Sequence, residues 1–439
     1  MILFDGQLYE SSEQGRLLAE LKEKIPHTLQ TKSLDPEIVV EAVDQLRKET
    51  LEGKFDDLLT SFPKDIVESY KKQAEVLLSK DYLHLKIRTE LGNTEEYVTD
   101  KMEGFSRIRV KKVPLGVIFH IAAGNMDFLP AYSLAEGLLA GNINILKLPS
   151  ADNGLSLKLI MQLIEYKPEL KDFIYVFDTS STDIQGMRTM AELSNGISVW
   201  GSDMAIEAVR GLAPTGAKLI EWGQKLGFCY ISDPEHAENA EQDLEGLAKH
   251  IAFTKQLLCS SCQVIYLDTK DTQEVRKFAE RFFPILQKAV DANASDEIGI
   301  RARDTLVAYT QRLKRYLGEE EKSADTIRGR GMSLILSSDS NLELSPMMCN
   351  VLVKPLPKER ITEVLFASRY YLQTAGLICP MEKREELVGI FSKCGLTRIT
   401  SGSDMSTFFP GESHDGEYAL DRYMKVINIE VPSSPDQDE

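Results

Sequence analysis

The stretch Val117-Ile118-Phe119-His120-Ile121-Ala122-Ala123-Gly124-Asn125 decides the fold, together with Gly141-Asn142-Ile143-Asn144-Ile145-Leu146-Lys147. Each contains a short apolar run punctuated by glycine and asparagine, as expected of a strand buried in a parallel sheet. Between them the chain reads as helical through Leu139, and Gly141-Asn142 stops that helix. Outward from this pair the alternation continues, with strands at 173–177, 197–200 and 218–221 and helical stretches between them. Short apolar strands alternating with amphipathic helices imply a parallel sheet with helices on both faces. That doubly wound plan places ligands beyond the carboxyl ends of the strands.

Upstream, residues 10–100 read as helical, with apolar residues at helical spacing in Leu17-Leu18-Leu21 and Ile66-Tyr70-Ala74-Leu77. Downstream of about residue 226 a second α/β unit is expected. It carries a helix near 241–251, strands at 264–267, 332–336 and 351–354, and a helix over 272–290. The predicted organisation is thus an N-terminal helical region packed on the cofactor domain (1–100) and a dinucleotide-binding domain (101–225). A catalytic domain (226–400) and a C-terminal return segment with a polar tail (401–439) follow. The tail, 432–439, reads as disordered.

A chain of 439 residues is long enough for two or three domains. Its 43% hydrophobic and 27% charged residues are ordinary for a globular protein. The net charge of -17 argues against nucleic acid and anionic membranes as partners. No apolar run is long enough for membrane insertion, and the start carries no secretory pattern. Six scattered cysteines do not form a disulfide framework, so the expected compartment is the cytoplasm.

One of those cysteines carries the chemistry. Cys259 lies in Leu257-Leu258-Cys259-Ser260-Ser261-Cys262-Gln263, at the junction before an apolar strand. A partly exposed cysteine there is a candidate nucleophile, because a thiolate takes up and releases acyl groups. A redox dithiol with Cys262, or half of a zinc site, is the competing reading. Zinc lacks a second Cys-x-x-Cys pair, since Cys349, Cys379 and Cys394 stand alone, and no metal is expected.

Other candidates fall at predicted strand ends. Lys147 would bond ribose hydroxyls or a phosphate, and Gly201-Ser202 would open a helix toward a phosphate. Asn125 would donate its amide to an oxyanion, although a helix cap ahead of 126–139 explains it equally well. Glu221 would serve as general base or acid, or be an ordinary exposed carboxylate.

Pro114-Leu115-Gly116-Val117-Ile118, Gly124-Asn125, Ala140-Gly141-Asn142 leading into Leu146-Lys147, Gly201-Ser202, Glu221 and Cys259 follow one another in this order. The set resembles the aldehyde dehydrogenase superfamily. Within it, the chain is most similar to the LuxC-type acyl-CoA reductases, over residues 100–430. Glutamine four residues after Cys259, the run Gly116 to Asn125, and Gly395-Leu396-Thr397-Arg398-Ile399 followed by His414-Asp415-Gly416 carry that likeness. The Gly201 turn lacks the superfamily's second glycine, and the Glu-x-Phe-Gly-Pro segment is not visible, so cofactor grip is expected to differ in detail.

The resemblance implies an aldehyde dehydrogenase-like fold and reduction of a fatty acyl-CoA to a fatty aldehyde. Cys259 would form the acyl-enzyme, and the Asn125 amide would stabilise the oxyanion. Glu221 matches the water-activating base of hydrolytic relatives, and His414 would protonate or orient a group, or be a structural histidine in a turn. Ser150 stands where NAD-preferring relatives carry a glutamate, which favours NADPH; Asp152 nearby weighs the other way. The resemblance further implies a homo-oligomer and an acyl-protein synthetase partner; a link to bioluminescence stays open. Two alternatives remain at this point: a hydrolytic NAD(P)-dependent aldehyde dehydrogenase, and a non-catalytic subunit of an acyl-transfer complex.

Overall fold

Five apolar strands pair in parallel in the spatial order Ile174–Phe177, Ile143–Lys147, Val117–Ile121, Gly196–Trp200, Lys218–Trp222. The chain steps outward from Val117–Ile121 in one direction and then returns to its other side. The reversal therefore lies between Val117–Ile121 and Gly196–Trp200, the place where an open α/β sheet forms its crevice. The computed structural model describes residues 1–59, 64–92, 96–100, 102, 105–123, 128–150, 152, 154–293, 306, 309, 313 and 325–431. Gly124, Asn125 and the tail 432–439 lie outside the described residues.

Right-handed crossovers assign the connecting helices to opposite faces of the sheet. Helices Pro36–Leu51, Leu129–Leu139 and Leu155–Tyr166 pack on one another, whereas Gln14–Thr31 packs with Ile184–Glu192. The N-terminal helices share one core with the sheet: Leu17, Leu21, Val39, Val40 and Val43 cluster with Ile118, Ile145 and Val176. Helix Pro36–Leu51 starts where it does because Asp35 accepts the Glu37 N–H at 2.9 Å and Pro36 occupies the first turn.

Two features were not expected. The first is a hairpin, Ile2–Phe4 with Gln7–Tyr9, which adds two antiparallel strands at the Ile174–Phe177 edge. Its Asp5-Gly6 turn takes φ of 52° and 75°, the two-residue turn that suits twisted strands. The second is a three-stranded antiparallel sheet in which Met424–Glu430 runs along Ile108–Pro114, with Tyr97–Val98 on the far side. The strand Tyr97–Val98 thus falls inside the region read as wholly helical.

By its internal contacts the chain divides into two units, Met1–Gly223 with Phe409–Glu439, and Gln224–Phe408. The second unit has its own seven-stranded sheet, in the order Asp325–Arg328, Ser333–Leu336, Asn350–Pro355, Cys262–Leu267, Leu226–Ile231, Leu372–Ile378, Arg398–Ser401. All neighbours are parallel except the first pair. Apolar clusters line both faces, one including Leu244, Ile251, Phe278 and Phe282, the other including Phe228, Tyr266 and Phe391. Among the described residues no helix is long and apolar enough to cross a membrane.

Candidate active site

Cys259 stands at the tip of a turn that the second unit builds from both sides. Helix Ala240–Thr254 ends, and Lys255 and Gln256 take left-handed φ of 48° and 63°, turning the chain toward strand Cys262–Leu267. The Ser261 N–H then donates to the Leu258 carbonyl at 3.0 Å, closing a four-residue turn with Cys259 and Ser260 at its tip. The Leu258 N–H donates in return to Ser261 Oγ at 3.0 Å. Beneath the turn lies Gly227 of the neighbouring strand. A Cβ there would come within 2.6 Å of the Ser261 carbonyl oxygen and 2.8 Å of the Ser260 one. Backbone is what stands in the way, so only glycine fits this position.

Of the six cysteines, all described, Cys259 alone is exposed, and none is in a disulfide. Cys262 lies inside the strand, and burial pushes its thiol up to about 12, far from a ready thiolate. Its N–H donates to His250 Nε2 at 3.2 Å. That bond requires a neutral imidazole protonated on Nδ1, and burial holds the His250 pKa down at about 4. The two thiols of Cys259-x-x-Cys262 therefore sit in opposite environments, unlike the pair a redox dithiol needs. Among the described residues no group of three or more metal-ligating side chains occurs.

The first unit carries the remaining candidates. Lys147 ends its strand almost fully buried, burial lowers its pKa, and it forms no ion pair among the described residues. Ser150 is exposed on the following turn. Asp152 is committed elsewhere: its carboxylate accepts the Gly154 N–H at 3.0 Å and the Ser156 N–H at 3.4 Å, at the start of helix Leu155–Tyr166. A buried cation at a strand end, followed by an exposed serine and a carboxylate that accepts the first N–H groups of a helix, fits an anionic cofactor. Gly201 follows strand Gly196–Trp200, and Ser202 caps helix Asp203–Arg210 by accepting the Ala205 N–H at 3.4 Å. That hydroxyl is already engaged in the cap.

Glu221 receives both forks of Arg210, Nε to Oε1 at 2.6 Å and a terminal nitrogen to Oε2 at 2.7 Å. Accepting a proton would require it to release one of those bonds. His414 opens the turn His414-Asp415-Gly416-Glu417, closed by paired backbone bonds of 3.0 and 2.9 Å, with left-handed Asp415 and Gly416. Its ring lies 5.1 Å from both Trp200 and Trp222, which stack on each other at 5.2 Å. Asn125 lies outside the described residues.

Several residues around these sites escaped the sequence reading. Trp200 and Trp222 came together only through pairing of the strands that carry them, where they face each other in register, and Arg210 reaches Glu221 from the end of a helix. Gly227 is distant in sequence from Cys259, His250 lies on the helix just ahead of it, and neither has a local signature. The Asp5-Gly6 hairpin turn, by contrast, was legible.

Comparison with known proteins then places these elements. The sequence matches the family described as acyl-CoA reductase (LuxC) over residues 37–426. It is 24% identical over 367 residues to the long-chain acyl-protein thioester reductase of Aliivibrio fischeri, covering 82% of this chain and 73% of that one. Among solved structures, the NAD-dependent benzaldehyde dehydrogenase from Corynebacterium glutamicum superposes with a TM-score of 0.66 at 13% identity, over 97% of this chain and 91% of that one. The glyceraldehyde-3-phosphate dehydrogenase GapN from Methanocaldococcus jannaschii, complexed with NADP, superposes with a TM-score of 0.70 at 11% identity, over 97% and 95%. The fold is that of the aldehyde dehydrogenases.

Proposed function

The chain belongs to the LuxC acyl-CoA reductase family, and on that premise we propose that it reduces a long-chain acyl-CoA to the aldehyde through an acyl-enzyme on Cys259, with NADPH as reductant. One observation carries the reading: the only exposed cysteine of the six stands at the tip of a turn whose two ends are hydrogen-bonded to each other. A nucleophile needs that combination of access and fixed aim.

The Cys259 thiolate attacks the thioester carbonyl. A carbon–sulfur bond forms, the carrier thiolate leaves and takes a proton, and the acyl group rests on Cys259. Exchange of one thioester for another is nearly thermoneutral, so the step runs at little driving force. Backbone N–H of the turn, with Asn125, would donate to the oxyanion. A dihydronicotinamide held by Lys147, Ser150 and the Gly201-Ser202 turn would supply, when bound, the hydride that reduces the acyl carbon. Cleavage of the carbon–sulfur bond then frees the aldehyde and restores the Cys259 thiolate.

On the cofactor side, the buried Lys147 ammonium, with Ser150 exposed three residues on, supports a phosphate-bearing adenosine ribose, hence NADPH. Engagement of Asp152 at a helix start removes the carboxylate that would repel it. The hydrolytic alternative is disfavoured by Glu221, both of whose oxygens are held by Arg210 rather than open to a water. An acyl-protein thioester is the second substrate form, suggested by the name of the Aliivibrio fischeri relative.

The test mixes the protein with NADPH and a series of acyl-CoA esters and follows loss of dihydronicotinamide absorbance, with Cys259→Ala alongside. Chain-length-dependent oxidation abolished in the variant is the expected result. No consumption with any acyl-CoA or acyl-protein, or full activity without the thiol, would overturn the proposal.

A further inference from the structure

Ser345 is a buried junction tied to both ends of the Cys259 turn. Its hydroxyl donates to Gln263 Oε1 at 2.8 Å and accepts from Gln256 Nε2 at 2.9 Å and from the Met347 N–H at 3.0 Å. Gln256, just ahead of the turn, also donates from Nε2 to the Cys262 carbonyl at 2.9 Å. Gln263, just after it, donates from Nε2 to the Gln256 carbonyl at 3.0 Å. The bonds close a ring, Gln256 to Ser345 to Gln263 and back to Gln256, with Cys259 on the loop between the two glutamines. All three side chains are buried.

Backbone strain gathers at the same place. Met347, Met348 and Cys349 take φ of 63°, 54° and 63° in succession. With Lys255 and Gln256 they make five of the nine left-handed non-glycine residues among those described. The Met348 N–H donates to the Lys255 carbonyl at 2.9 Å and joins the two strained segments. Asn350 Nδ2 holds the Met347 and Met348 carbonyls at 2.8 and 3.0 Å. Such strain persists only where the surroundings over-determine it, and it concentrates at functional sites. Gln256 Oε1 is buried and has no hydrogen-bond partner among the described residues. The amide cannot flip to improve matters, because Oε1 would then face the Cys262 carbonyl. Orientation of the ring has been kept at the expense of a hydrogen bond.

We infer that Ser345, with Gln256 and Gln263, is a positioning unit that holds the Cys259 turn on its aim, so that these residues set the rate of acyl transfer without touching substrate. The inference rests on Cys259 being the nucleophile. Loss of the Ser345 hydroxyl leaves two buried amide groups short of a partner and frees the ends of the turn to shift relative to each other.

The experiment compares Ser345→Ala, Ser345→Thr and Gln263→Glu with wild type and Cys259→Ala. It reads kcat, KM for acyl-CoA, single-turnover acylation of Cys259 by mass spectrometry, and melting temperature. Ser345→Ala should slow acylation and kcat by roughly 10–100-fold, the scale of a sub-ångström to ångström misplacement, with little change in KM. Ser345→Thr, which keeps the hydroxyl, should recover most of the rate. Gln263→Glu, which turns a donor to the Gln256 carbonyl into a repelling oxygen, should resemble Ser345→Ala. If Ser345→Ala does not fold, Gln263→Glu carries the comparison. Wild-type acylation in both Ser345→Ala and Gln263→Glu, or losses that merely follow the folded fraction, would sink the positioning role while Cys259→Ala remains inactive. An active Cys259→Ala would instead remove the nucleophile on which the inference depends.

Discussion

Replacing Gly227 by alanine adds one methyl group under the proposed nucleophile. Its nearest neighbours are backbone atoms: the Ser261 oxygen at 2.6 Å, the Ser260 oxygen at 2.8 Å and the Ser260 carbon at 3.0 Å. Contacts shorter than 3.0 Å are not tolerated, and no flexible side chain is available to yield. Restoring ordinary separation requires the turn to move by roughly 0.5–1 Å, which should lower kcat about 10–100-fold. The accompanying overpacking should destabilise the fold by about 1–3 kcal/mol. The control is Gly376→Ala, on a strand of the same sheet, where the nearest atom is the flexible Met405 Sδ at 2.8 Å. Stopped-flow measurement of Cys259 acylation, with melting temperatures for both variants, separates the effects. A Gly227→Ala enzyme that acylates at the wild-type rate, or a Gly376→Ala enzyme that is equally slowed, would refute the argument.

Other outcomes are expected. Lys147→Met should weaken NADPH binding about 10–100-fold, the scale of one charge-assisted hydrogen bond, measured by titration of the cofactor. The chain has two tryptophans, Trp200 and Trp222, both against His414; His414→Ala should change their emission, and NADPH should quench it if the cofactor binds the first unit. Gly389→Ala, inside helix Met381–Cys394 with nothing within 4 Å of the added carbon, should stabilise the protein by about 0.5–1 kcal/mol in denaturant titration. His120 and His250 are held neutral by burial, each with a pKa lowered from 6.5 to about 4. The unfolded chain binds protons more readily between those values. Stability is therefore complete above pH 6.5 and falls as pH drops toward 4, by about 2 kcal/mol per histidine at pH 5. Urea titrations at pH 7 and 5 on wild type and His250→Gln would read the difference.

Much of the architecture was legible because a strand buried on both faces leaves an unmistakable apolar run. All five parallel strands of the first unit lie where the sequence puts them. The Asp5-Gly6 pair between two short apolar runs is likewise a local hairpin signal. The strand Met424–Glu430 was harder: it alternates lysine and asparagine with valine and isoleucine, and only its partner Ile108–Pro114 makes it a strand. Glu221 illustrates the limit at the site. A carboxylate at a strand end reads as a base until Arg210, eleven residues earlier, is seen to fill both its oxygens.

The amino-acid sequence alone determined the succession of strands along the chain and the family to which the chain belongs, and it singled out the cysteine proposed as nucleophile, since apolar period and local motif are properties of neighbouring residues. What the thiol can do was decided in three dimensions. Cys259 is exposed and Cys262 is sealed because one sits at the tip of a turn and the other begins a strand. Gly227, His250 and Ser345 converge on that turn from separate parts of the chain. Steric exclusion and hydrogen bonding act between atoms brought close in space, and closeness across tens of residues exists only after folding.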